Sequence, residues 1–401
     1  MEVTDKQTDR LPLTGIRVLE LSLAVMGPTA GMVLADMGAE VIKIEPAPKG
    51  DDTRRIKGFG TGFFPAFNRN KKSLVLDLKR PEGKAIMERL VETADVLVEN
   101  FAPGTIERLG FGYDHVSKIN PRMIFCSLKG FMPGPYEKRP ALDEVCQMMG
   151  GLAYMTGPAG RPLRAGASVL DIMGGSYGVI GIVTALYERE RTGRGQHVLA
   201  TLFESVAMLM AQNMAVAAIT GQPVPPMPER GRSWSVYDLF KTSDAEQVFV
   251  GITSDAHWQR FCVTFGYEDL RTDNRLATNN SRVDERDRLM LELQNRLAKL
   301  TRAEIMKKAE EAGIPFAPIA RPEELFDDPH LNQSGGLLET TLPDGRKTKL
   351  PRIPLRMDGY DFALRNDPPP LGEGSDELLR SLGFEQSRID ALKKEGIIGP
   401  L

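Results

Sequence analysis

The hydrophobic pattern of the first two hundred residues switches repeatedly between two periods. Short apolar, β-branched runs at residues 15–22, 39–45, 72–77, 95–100 and 123–128 read as strands. Between them, residues 29–37 have helical spacing and stop at Gly38. Residues 81–94 do the same, with Pro81 at the first helical position. Strands separated by crossover helices imply a mainly parallel, doubly wound sheet, an α/β fold of Rossmann-like type. The pattern changes near Gly221, where residues 221–228 carry four prolines. Beyond that point residues 236–240 and 247–252 read as strands, and residues 282–300 and 302–312 as charged amphipathic helices. The predicted organisation is a large domain over 1–205, a linker over 206–225 and a small α+β domain over 226–325. A return segment over 326–401 then completes the large domain, with a final helix at 375–382 closing the chain.

Composition narrows the classes of function. A chain of 401 residues with 41% hydrophobic content can bury a large core in more than one domain. Its net charge of -3, with no basic run, argues against a nucleic-acid partner. The apolar stretch 198–219 is broken by Glu204, Ser205, Gln212 and Asn213, so it reads as buried helices rather than a membrane span. The first residues are polar and lack an apolar leader core. Cys126, Cys146 and Cys262 lack CxxC spacing, so a cytoplasmic protein without disulfides or structural zinc is expected. His115, His197, His257 and His330 are scattered, so no metal is expected. The turn after the first strand, residues 23–28, is no GxGxxG fingerprint, which leaves a nicotinamide-dinucleotide site poorly supported.

Asp171 stands at the head of a segment whose next residues are small, including Gly174, Gly175 and Gly178. Such a start offers free backbone N–H groups, and glycines admit close approach of a ligand to the backbone. An acid there is either a helix cap or a reactive group beside a bound anion, and the pattern alone leaves both open. Arg54, Arg69, Lys71, Lys72, Lys79, Arg108 and Lys129 fall at strand ends or first turns. They read either as a solvated rim or as a nest for an anionic cofactor such as a nucleotide phosphate.

Several motifs occur together in a recognisable order. They include Gly15-Ile-Arg-Val-Leu-Glu-Leu21, Gly27-Pro28, residues 34–46, Gly50-Asp51 and Asn70-Lys71-Lys72-Ser73. Val98-Glu-Asn100-Phe101-Ala-Pro-Gly104, Thr192-Gly-Arg-Gly-Gln196, Ala312-Gly-Ile-Pro315 and Leu371-Gly-Glu373 follow. This set resembles the class III CoA-transferases, the family of formyl-CoA transferase and carnitine CoA-transferase, along essentially the whole chain. The resemblance implies that the large domain binds CoA, and that two ring-like chains interlock as a homodimer. It implies that Asp171 is the nucleophile, with Asp143 a second acid near it, although Asp143 reads equally as a helix cap. The family's CoA contacts carry over to Ala24, Val25, Met26, Leu76, Lys79, Asn100, Phe101, Ala102 and Arg108. CoA and acyl-CoA enter as substrates, with no permanently bound cofactor and no metal.

A carboxylate needs no base to ionise it at neutral pH, and it can attack a thioester to form a mixed anhydride and then an aspartyl-CoA thioester. Oxyanions are expected to meet backbone N–H groups around Gly174 and Gly175 or an opposing loop. Two departures from family patterns bear on substrate. The glycine-rich loop of the formyl-CoA branch is replaced by Pro228-Glu-Arg-Gly-Arg-Ser-Trp234, which disfavours oxalate–formate exchange. The racemase branch places a His just before the second acid, where this chain has Leu142, which cannot exchange an α-proton. Arg230 and Arg232 read either as a solvated loop or as partners of a second carboxylate or sulfinate on the acceptor. The second reading points to a small dicarboxylic acid or close analogue, with succinyl-CoA or a similar donor. The alternatives are an acyl-CoA racemase and a non-catalytic CoA-binding protein.

Overall fold

A computed structural model describes residues 10–229 and 233–399. The described chain divides into two compact units, one of residues 10–229 with 330–399 and one of residues 233–329. The first is built on six parallel strands: β1 (Arg17–Leu21), β2 (Glu40–Pro46), β3 (Lys71–Leu76), β4 (Val96–Glu99), β5 (Ile124–Lys129) and β6 (Gln196–Thr201). The helices that matter to the site are α1 (Met26–Asp36), α2 (Pro81–Thr93), α3 (Asp143–Met149), α4 (Val169–Thr192), α5 (Leu202–Leu209) and α6 (Ala211–Thr220).

Neighbouring residues of each strand face opposite sides of the sheet, and both faces are buried. Val18, Val41, Val96, Ile124, Cys126 and Leu128 pack in the core shared with α1, α4 and α5. Leu19, Ile42, Leu74, Leu97 and Phe125 pack on the other face with α2 and the helices near the C-terminus. This explains why the strands read as continuous apolar runs rather than as alternating ones.

The second unit holds an antiparallel sheet of β7 (Val236–Lys241), β8 (Gln247–Ile252) and β9 (Phe316–Pro318). Helices including Asp255–Phe265, Arg286–Leu297 and Arg302–Glu311 cover it around Trp258 and Phe261. The helix expected over 282–300 is two helices, Asn279–Asp284 and Arg286–Leu297, and Arg282 of the first is buried and pairs with Asp255 at 2.6 Å.

Back in the first unit, β10 (Leu337–Thr341) and β11 (Lys347–Pro351) form a hairpin. The helix Ser375–Ser381 does not end the chain: Gln386–Lys394 follows, and β12 (Ile398–Gly399) adds an antiparallel edge to β3. The full sheet order is β12-β3-β2-β1-β4-β5-β6. The stretch 206–225 expected as a linker is mostly the end of α5 and all of α6. Nor are the helices of this apolar stretch all buried, since α6 has no buried residue.

Candidate active site

Strand order reverses between β1 and β4, so the loops that leave their carboxyl ends diverge and open a crevice. A cavity of about 660 Å³ lies there. Ala24, Val25 and Met26 line it from the loop after β1, and Asn100, Phe101 and Ala102 from the loop after β4. The two loops are tied edge to edge. Asn100 accepts from the Leu23 N–H at 2.8 Å and donates to the Leu23 carbonyl at 2.8 Å. The Lys43 ammonium donates to the Ser22 carbonyl at 2.8 Å, and that of Lys71 to the Pro28 carbonyl at 3.0 Å. Between these anchors Ala24 is held at φ 62°, a left-handed conformation that costs an alanine about 1 kcal/mol. Asn100 therefore shapes the cavity wall with both ends of its amide.

Asp143 and Asp171 line the same cavity from α3 and α4. Asp171 is the third residue of α4, whose N-cap, Ser168, makes no side-chain capping bond. The cap comes from elsewhere in the chain. One Asp143 oxygen accepts the N–H groups of Leu170 at 2.7 Å and Asp171 at 3.1 Å. Its other oxygen accepts from Gln147, whose carbonyl in turn accepts the Ala165 N–H at 2.8 Å. Asp143 thus does the capping that sequence alone allows for Asp171, and the Asp171 carboxyl is left to the cavity.

Burial, and then the charge of Asp143, push Asp171 up to about 7, opposed by the Arg164 guanidinium. This corrects the expectation of a carboxylate fully ionised at neutral pH. The correction favours reactivity, because a more basic carboxylate is a better nucleophile once ionised.

The small residues of α4 serve packing rather than ligand approach. A Cβ on Gly175 would stand 2.5 Å from the Met26 carbonyl oxygen, and one on Gly178 2.7 Å from Leu128. Gly174 and Gly175 are buried against α1 and do not line the cavity, so no oxyanion site forms around them. By length and hydropathy α4 would also pass as a membrane span, yet its glycine face is packed on α1, β5 and β6.

Most of the basic rim is neither solvated nor free for phosphate. Arg54 pairs with Glu45, Arg69 with Asp36, Lys71 with Glu20 and Lys129 with Glu99, whereas Lys72 pairs with Glu40 while staying partly exposed. Leu76 and Lys79 do not reach the first cavity. They line a second one of about 330 Å³, which shares Leu23 and Phe101 with the first. Arg108 lines neither and donates to Thr105 Oγ1 at 2.7 Å, Thr105 itself lining the second cavity. Arg230 and Arg232 lie outside the described residues. Arg139, Arg164, Phe59 and Phe63 line the first cavity and escape sequence reading. The segment 157–168 reaches the cavity only by folding back along α3, and no local pattern announces such a return. Among the described residues no group of His, Cys, Asp and Glu is arranged to hold a metal ion.

Comparisons with known proteins agree along the chain. A profile of CoA-transferase family III matches residues 13–375. A succinate–glutarate CoA-transferase of Agrobacterium fabrum is 35% identical, over 95% of this chain and 98% of that protein. A succinyl-CoA:glutarate CoA-transferase of Mus musculus is 31% identical, over 96% and 90%. A formyl-CoA:oxalate CoA-transferase of Rhodopseudomonas palustris is 32% identical, over 97% of both. The crystal structure of a CAIB/BAIF family protein from Brucella suis superposes with a TM-score of 0.82 at 33% identity, covering 93% of this chain and 99% of that one.

Proposed function

Since the chain belongs to CoA-transferase family III, we propose that it moves CoA from an acyl-CoA donor, succinyl-CoA first among them, to a small carboxylic acid, chiefly a dicarboxylate. The names of the Agrobacterium and mouse relatives, which pair succinate or succinyl-CoA with glutarate, support this choice. One observation carries the mechanism: an Asp171 carboxyl relieved of capping by Asp143, in a cavity at the switch point of the sheet.

In this reading CoA runs through both cavities, with its arm passing Phe101 and its nucleotide end toward Leu76 and Lys79. One Asp171 oxygen attacks the thioester carbonyl, the C–S bond breaks, and CoA leaves as thiolate from a mixed anhydride. The thiolate attacks Cγ of Asp171, expelling the donor acid and leaving an aspartyl-CoA thioester. An acceptor carboxylate attacks the same Cγ, and the two steps run in reverse to release the new CoA ester. Oxyanions are met by the loop opposite α4, at residues 24–26, where the first turn of α1 has no side-chain cap and no acid. Remote CoA contacts hold the reacting atoms together.

Mixing the protein with succinyl-CoA and digesting it tests this directly. A CoA adduct on the peptide carrying Asp171 is expected. Asp171→Asn should form none and lose at least about a thousandfold in transfer, while remaining folded. Near-normal turnover by that variant would refute the mechanism, and absence of the adduct in the parent protein would leave the non-catalytic CoA-binding reading. Racemase activity is disfavoured because Leu142, 71% exposed at the cavity wall, has no proton to exchange.

A further inference from the structure

We propose that Arg164 selects the acceptor, binding the second carboxylate of a dicarboxylic acid while the first reacts at Asp171. This rests on the CoA-transfer reading above and names the residue that sets its substrate class.

Arg164 lines the cavity together with Asp171, seven residues before it. The backbone on both sides is pinned. The Leu163 N–H donates to the Ala153 carbonyl at 3.0 Å, and the Ala165 N–H to Gln147 at 2.8 Å. The guanidinium carbon stands 5.5 Å from the centre of the Phe59 ring, and Nε donates to the Ala165 carbonyl at 3.0 Å. Among the described residues the two terminal nitrogens make no hydrogen bond. Their contact with Glu144 is an ion pair at 3.6 Å, longer than a hydrogen bond. A planar fork whose terminal nitrogens are engaged only by this long ion pair is therefore presented in a cavity whose other walls include Phe59, Phe63, Met26 and Leu202. That is the geometry a carboxylate binds bidentately, and the apolar walls strengthen the pairing.

The other two cations of the cavity fit this role less well. Lys129 donates to Glu99 at 2.6 Å and to the Phe101 carbonyl at 2.8 Å. Arg139 is exposed and lies over the Tyr136 ring at 5.0 Å. Arg164 shares the cavity lining with Asp171 and is also the cation whose charge opposes the upward push on that carboxyl. In the resting protein Glu144, an exposed side chain, occupies the place that the acceptor carboxylate would take.

The half-reaction separates this inference from its foundation. The full-length protein is loaded with succinyl-CoA to form the Asp171 adduct, cleared of free donor, and mixed at pH 8.5 with glutarate or with pentanoate. Arg164→Met should lower kcat/KM for glutarate by about 10- to 100-fold, chiefly through KM, and change pentanoate by less than about threefold. Arg164→Lys should recover part of the loss and serves also if the Met variant loads poorly. Glu144→Gln should lower the glutarate KM. Equal losses for both acids in Arg164→Met, or loss of the glutarate preference in Arg139→Met instead, would overturn the assignment. Failure of the parent protein to load would remove the CoA-transfer reading and this one with it.

Discussion

Asp171 and Asp143 are two acids given different tasks by their surroundings: one is saturated by N–H donors, the other is buried with little to hold its charge. The acidic limb of the pH profile should follow from this. Transfer at subsaturating donor should rise with pH through about 7 and level off above it. Asp143→Asn removes the neighbouring charge and should move that limb to lower pH; a profile unchanged in this variant would show the pair to be uncoupled. Stability should run the other way. The folded protein keeps a proton on Asp171 that the unfolded chain, with its carboxyl at 3.8, has already released. This group therefore weakens folding as pH rises from about 4 to about 7, by at most about 4 kcal/mol, and weakens it fully above that. Asp171→Asn should accordingly melt higher than the parent at pH 8 and no higher at pH 3, as thermal denaturation can show.

At the scale of elements, the site depends on how closely α1 and α4 approach. Gly175 lets the Met26 carbonyl sit against the α4 backbone, and Met26 begins α1 just where the cavity loop ends. Gly175→Ala should destabilise the fold by about 1–3 kcal/mol. It should depress transfer beyond what the lower stability explains, because residues 24–26 move with α1. A variant with normal kinetics and a normal melting temperature would mean that the helices part at no cost. Strands β1 to β5 of this unit were legible in the sequence because burial on both sheet faces writes itself as continuous apolar runs, whereas β6 was not, its residues 198–201 running on into the apolar stretch read as helical. The burial of Arg282 was not legible, since its partner Asp255 lies 27 residues away in the chain.

At the scale of the whole molecule, α6 presents no buried residue although it is apolar, and Met214, Val216 and Ile219 stand exposed beside Met208 and Leu209 of α5. A second copy of the chain is the occupant expected for this face, continuing the homodimer implied by family resemblance. The parent protein should run as a dimer in light scattering after gel filtration. Met214→Asp with Ile219→Asp should yield monomer or weaken association at least about tenfold. A monomeric parent would remove the idea.

The sequence by itself determined the class of sheet and the family, and it singled out two acids to watch. These depend on local periodicity and on motifs that survive as short words. Only the tertiary structure decided which acid caps α4 and which is free, that Gly174 and Gly175 serve packing, and that most of the basic rim is paired internally. It also brought Arg139 and Arg164 to the cavity. Hydrogen bonds and burial set a carboxyl's role and acidity, and both are fixed by segments distant in the chain, so no window of sequence contains them.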